Sequence, residues 1–303
     1  MRYRSVLLFV TLSAVWGSAF VAIKAGLAAF PPVLFAAIRY DIAGIIVIGY
    51  AVLVADPLPR SRQDIAAIAA GATFLIAGYH ALLFVGEQST TSAVAAVIVS
   101  LSPVLTTGIA RLVLPDGRLT AVGTLGLAVG FLGVIVVADP DPSHVLASDV
   151  LGKALIFGAA LSFALGSVLT RWLDASISIE TMEGWSMVGG ATLLHAISLA
   201  VGESPTAIEW TPRAAIALGY LAIVASALGF FVYFDLLERL GPVEINLVSY
   251  VAPVFAAVVG MLFLGEAFTP TTGVGFLLIV AGFVLIKRDG IRAAFDRWRR
   301  QRR

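Results

Sequence analysis

The sequence contains no cysteine, only three histidines (His80, His144 and His195) and little charge, with 13% of its 303 residues Asp, Glu, Lys or Arg. Each shortage removes a class of molecule. Without cysteine no disulfide framework and no thiolate zinc site can form, and the redox compartment leaves no trace. Three scattered histidines with no histidine-glutamate zinc motif argue against a metallohydrolase, and neither a P-loop nor a Rossmann fingerprint is present, so no cofactor and no metal is expected. A soluble domain is about a quarter charged. This chain has too little polar surface for one.

What it has in abundance is apolar sequence: 59% of the residues are hydrophobic and the mean hydropathy is +0.98. About 20 apolar residues in a helix cross the roughly 30 Å hydrocarbon core of a bilayer. Ten segments approach that length, at 6–26, 33–54, 65–85, 92–114, 122–138, 151–173, 182–201, 214–234, 243–264 and 273–287. The expectation is an all-α integral membrane protein whose partner is the lipid bilayer. Arg2 and Arg4 ahead of the first run resemble the start of a signal peptide. The equivalent run at 151–173 lies mid-chain, so the first is read as a helix of the mature protein.

Lys and Arg are retained on the cytoplasmic side of membrane proteins. With the amino terminus inside, Arg2, Arg4, Arg60, Arg62, Arg111, Arg118, Arg171, Arg239 and the tail from Lys287 face the cytoplasm, against Lys24, Lys153 and Arg213 outside. A multi-pass protein of the inner, cytoplasmic membrane with both termini cytoplasmic is expected. The tail, 288–303, spaces Ile291, Phe295 and Trp298 along one face among arginines, which suits an interfacial helix on anionic lipid rather than a nucleic-acid partner.

The chain also resembles itself. At a separation of 150 the stretch 79–116 lies without gaps on 229–266, placing Pro103 on Pro253; at 149, Ser13, Gly17 and Ser18 fall on Ser162, Gly166 and Ser167. Residues 1–138 and 151–287 therefore read as two five-helix repeats. Five is odd, so consecutive copies enter the membrane from opposite sides, the inverted-topology arrangement of many secondary transporters. Alternating access between two such halves needs a site at their interface.

Candidate site residues follow from cost. Arg39 lies well inside the second segment, where charge usually faces the bundle interior, and Asp41 is about 200° around the helix from it. Arg39 must then meet another carboxylate, carbonyls or an anionic substrate group, or snorkel to the interface. Trp16 beside Gly17 either walls a cavity or packs helices. Tyr79 and His80 form an aromatic, titratable cluster with Phe84, and Glu87 follows on the His80 face, at the outer interface; His80 is either a proton-coupling group or a helix contact. Asn246 and Tyr250 precede Pro253, as Ser100 and Ser102 precede Pro103, and both prolines free a backbone carbonyl, tolerable where protein or a wet cavity satisfies it. Gly17 and Gly166, with other small residues at three- or four-residue spacing, allow close helix approach.

In order along the chain stand Trp16-Gly17-Ser18 with Phe20 and Lys24, Phe35-Ala-Ala-Ile-Arg39-Tyr40, Ser102-Pro103-Val104, Ala252-Pro253-Val254 and Leu264-Gly265-Glu266. Over nearly the whole length this resembles the drug/metabolite transporter superfamily, in its ten-helix EamA-type branch. The first half departs from the pattern, reading Leu114-Pro115-Asp116-Gly117-Arg118 where a glycine-glutamate turn belongs. The resemblance implies export, or less often uptake, of small organic metabolites such as amino acids; with no ATPase domain, the energetic choice is facilitated diffusion or exchange with protons or sodium. The alternatives are a passive channel, a membrane receptor and, last, a membrane enzyme.

Overall fold

A computed structural model of the chain describes residues 2–113, 120–139, 148–240 and 245–300, with side chains for 3–113, 120–139, 149–240 and 245–288. The Leu114–Arg118 turn and the side chains of the basic tail lie outside the described residues. The described chain is helical: α1 (Arg2–Gly26), α2 (Pro32–Val54), α3 (Arg62–Glu87), α4 (Ser92–Val113), α5 (Ala121–Ala138), α6 (Ser148–Leu173), α7 (Ile179–Ala200), α8 (Pro212–Leu240), α9 (Val248–Leu264) and α10 (Pro270–Arg300). In hydrocarbon each backbone polar group must be satisfied within the protein, which selects helices.

Eight of these are long and apolar enough to cross a membrane. Two of the expected spans do not meet that standard. At 17 residues α9 is short, because the chain turns at 246–247 and the helix begins only at Val248. Its 22 residues make α7 long enough, but Glu180, Glu183 and His195 leave it less apolar. Helix α10 runs unbroken from Pro270 to Arg300, into the basic tail.

Local sequence sets the ends. Ser61 and Asp64 form a reciprocal capping box at the start of α3, with Asp64 N–H donating to Ser61 Oγ at 3.0 Å and Ser61 N–H to Asp64 Oδ2 at 2.9 Å. Thr91, Thr120, Ser178 and Thr211 cap α4, α5, α7 and α8. Gly265, at φ +66°, ends α9 in the left-handed conformation that glycine tolerates.

Three helices depart internally from α geometry. Gly71–Gly78 in α3 and Tyr220–Leu228 in α8 are π-helical, and they occupy corresponding places in the two halves. In α4 the helix breaks at Ser100 and Leu101, immediately ahead of Ser102-Pro103, whereas Pro253 sits inside a continuous α9.

Packing joins the halves rather than separating them. The main partners are α1 with α9, α4 with α6, α2 with α7 and α5 with α10; α3 lies on α6 and α7, and α8 on α1 and α2. Exchanging the halves returns the same set of partners. Gly126 lies against Gly282 and Gly133 against Gly275, so α5 and α10 run antiparallel, and the repeat register of 149 residues interchanges the two contacts. These approaches have no room for a side chain: a Cβ on Gly133 would stand 2.6 Å from the Gly275 carbonyl oxygen.

Replacing Gly133 by leucine is expected to destabilise the bundle by about 1–3 kcal/mol, the usual cost of overpacking. Gly49, whose Cβ direction is open, should accept alanine without loss. Melting curves of the detergent-purified variants check both, and equal stability of Gly133→Leu and the unsubstituted chain would contradict the packing.

Candidate functional site

Four helices bring polar side chains together inside the bundle. Arg39 on α2 is 6% exposed, and its Nε donates to Ser226 Oγ in the π-helical stretch of α8 at 3.0 Å. Its guanidinium carbon lies 5.1 Å from the Tyr40 ring centroid and 6.0 Å from that of Phe84, within cation–π range. Tyr40, 2% exposed, meets His80 Nε2 through its hydroxyl at 2.7 Å, while His80 Nδ1–H donates to the Ile76 carbonyl at 2.9 Å. A carbonyl only accepts, so that bond fixes the ring's orientation. Tyr79 stands edge-on to His80 with centroids 4.5 Å apart.

The preceding residue of the π segment, Ala225, anchors α1. Trp16 Nε1–H donates to the Ala225 carbonyl at 3.1 Å, and its ring packs on Phe230 and Tyr233. One turn on, the Ser18 and Tyr220 hydroxyls are 2.6 Å apart. Of the expected site residues, Arg39, Trp16, Tyr79 and His80 are thus gathered at the junction of α1, α2, α3 and α8.

The others are not. Ser100 and Ser102 are buried and donate to carbonyls of their own helix, Val97 at 2.6 Å and Val99 at 2.7 Å, at the break in α4. Tyr250 packs on Phe283 of α10, and Asn246 is exposed in the turn before α9. Gly17 abuts the backbone around Pro253, with a Cβ there 2.7 Å from Phe255 Cβ; Gly166 faces Phe74 and Leu75 of the π segment in α3; Pro103 is buried.

Several residues of the junction fall outside the sequence expectation. Ser226 is the one serine in the 214–234 run, and Tyr40 adjoins Arg39, so both carry a faint signal in the sequence. Asp41 finds His195 of α7 at 2.7 Å, a pairing across 154 residues. Glu87 is fully buried within the protein, beside Gly86, where Gly152 and Ile156 of α6 pack closely. Both its carboxylate oxygens lack a hydrogen-bond partner among the described residues, and the Lys24 ammonium goes instead to the backbone carbonyls of Glu87 and Gln88, at 2.8 and 2.9 Å.

At the end of the bundle where α1 finishes, two carboxylates of the second half cap helices of the first. Glu203 accepts from the backbone N–H groups of Val33 and Leu34 at 3.0 and 2.8 Å, and from Ser198 Oγ at 2.8 Å. Glu266 accepts from Ser92 N–H at 3.0 and 3.1 Å and from its hydroxyl. Each places negative charge on a helix N-terminus, where the macrodipole favours it. Two cavities, of about 400 and 200 Å³, lie elsewhere, one lined by Leu58, Pro59, Ile65, Ile68 and Trp185 and the other by 27–31 with Ala207 and Glu209. Among the described residues no group of three or more His, Cys, Asp or Glu is placed to hold a metal ion.

Apolar helices around a buried polar junction define a multi-pass membrane protein. The EamA-like transporter family model matches residues 4–138 and 150–288, and the chain belongs to that family. It is 28% identical over 290 residues to the uncharacterized inner membrane transporter YedA of Escherichia coli K12, covering 94% of this chain and 92% of that one. It is 25% identical over 276 residues to the uncharacterized transporter YoaV of Bacillus subtilis, covering 91% and 94%. A solved crystal structure shares the fold at TM-score 0.66 and 21% identity, covering 97% of this chain and 99% of the other. The family and both of these relatives are named as transporters.

Glu203→Gln is expected to cost about 1–3 kcal/mol, the range for disturbing charge-assisted bonds to buried groups. Ser198→Ala, which removes a single bond to that carboxylate, should cost less. Melting temperatures in detergent test the order, and an unchanged Glu203→Gln would remove the cap from the account.

Proposed function

We propose that the chain is a secondary transporter of small organic metabolites, amino acids or related compounds, working as an exporter by alternating access about the junction of α1, α2, α3 and α8. The observation that carries this reading is the packing map, unchanged when the halves are exchanged, with α5 and α10 antiparallel across paired glycines. That is the pattern expected of two five-helix repeats inserted in opposite senses, ten spans in all, with both termini cytoplasmic. Such a pair has two near-equivalent arrangements. Here the caps from Glu203 and Glu266 and the α3–α6 contact at Gly86 hold together the end where α1 finishes.

Within this scheme Arg39, Trp16, Tyr79 and His80 contact the solute, the broken α4 and the Pro253 region of α9 line its path, and a proton or sodium ion supplies the driving force. A thermal-shift screen against amino acids, sugars, nucleosides and cationic drugs selects a ligand. Counterflow of that ligand in proteoliposomes is the expected result. Linear, non-saturating flux would mean a pore, and no flux at all would end the reading.

Arg39→Ala is expected to abolish transport while expression and insertion stay intact; unchanged uptake kinetics would take Arg39 out of the site. Orientation is tested by single cysteines, since the chain has none to remove. In intact spheroplasts an impermeant maleimide should label Thr206→Cys and spare Tyr3→Cys, and the reverse would invert the topology.

A further inference from the structure

Arg39 is a permanent cation in the protein interior. Among the described residues no carboxylate hydrogen-bonds to it: Asp41 is bound to His195, the buried Glu87 carboxylate lies within electrostatic reach but makes no bond to it, and the one hydrogen bond Arg39 makes is to a neutral hydroxyl, Ser226. A buried charge left uncompensated is expensive. Its two terminal nitrogens receive no acceptor, yet they are not among the polar atoms that packing seals off without a partner, so each keeps some accessible surface. Ser226 occupies Nε, and the Tyr40 and Phe84 rings lie within cation–π range of the guanidinium. What remains free is the pair of parallel N–H donors at the tip, the fork that matches a carboxylate in bidentate geometry.

We propose that this fork binds the carboxylate of a monoanionic organic acid, so that the carried solutes are small carboxylates with an apolar body; this rests on the transporter reading above. The charge count selects a monoanion over a phosphate ester or other dianion. Lys24, the lysine on the adjoining helices, has its ammonium committed to the carbonyls of Glu87 and Gln88, and the Glu87 carboxylate lies within electrostatic reach of Arg39, so the junction offers a ligand one cationic fork at most. The half-buried aromatic surface near Ser226, from Trp16 and Tyr220, suits a flat or aliphatic body.

The test compares benzoate, phenylacetate and hexanoate with benzamide, benzylamine and phenylalanine, by thermal shift and by counterflow, on the full-length purified chain. At least one of the three anions should stabilise the protein, while benzamide, of the same shape without the charge, should not. Arg39→Gln should weaken that anion about tenfold or more, the loss expected for one charge-assisted pair, with Arg39→Lys intermediate. Should Arg39→Gln fail to fold, Ser226→Ala gives a second route, since it keeps the charge but frees Nε and is expected to weaken binding several-fold. The assignment is overturned if none of the three anions binds, if benzamide or benzylamine binds as well, if phenylalanine alone binds, or if Arg39→Gln retains full affinity. An anion that binds through Arg39 but shows no counterflow would leave the site standing and defeat the transporter reading instead.

Discussion

In lipid no water is at hand to satisfy a polar group, and every backbone carbonyl released from a helix must be taken up by another part of the protein. Much of the arrangement follows from where this chain lets go of its helical bonds. In the π-helical stretches of α3 and α8 side chains donate to backbone carbonyls: His80 to Ile76, Ser162 to Phe74 at 2.8 Å, and Trp16 to Ala225. At the break in α4, Ser100 and Ser102 take the carbonyls of Val97 and Val99. Two of the three irregular stretches, the π-helical ones of α3 and α8, therefore lie at the polar junction, as is common where a helix serves function rather than span.

The same economy governs charge. Asp41 is matched by His195, Glu203 and Glu266 by helix N-termini, and Lys24 by two carbonyls, each across a helix–helix contact. Arg39 and Glu87 stand apart because the described protein offers neither an oppositely charged hydrogen-bond partner. In a membrane protein such groups mark function. The glycine contacts set the distance at which all this can happen, since α5 and α10 can close only where no Cβ intervenes.

Much of the architecture is legible in the amino-acid sequence. Hydrophobic length gives most of the helices, the 150-residue register gives the repeat, and the cost of Arg39 in mid-helix points into the bundle. What stays hidden there involves partners far apart along the chain. Arg39 with Ser226, Asp41 with His195 and Val33 with Glu203 each join the two halves, and nothing local to either residue announces the other. The π-helical stretches are equally silent, because an α helix and a π helix of the same apolar residues share one composition. The start of α9 departs from expectation for a related reason: Asn246 carries a helical spacing to Tyr250, but the chain is still turning at that point. Asn246 consequently stands in the open, away from Arg39.

Whether two interchangeable halves rock about the junction is the claim on which the rest turns. Spin labels fit a chain that has no native cysteine to displace, so distances can be measured in bilayers between Gln88→Cys and Ala267→Cys at one end and between Leu58→Cys and Glu238→Cys at the other. Saturating ligand should shift the two distance distributions in opposite directions, one end parting as the other closes. Distributions that stay fixed, or that widen together, would contradict alternating access by these halves.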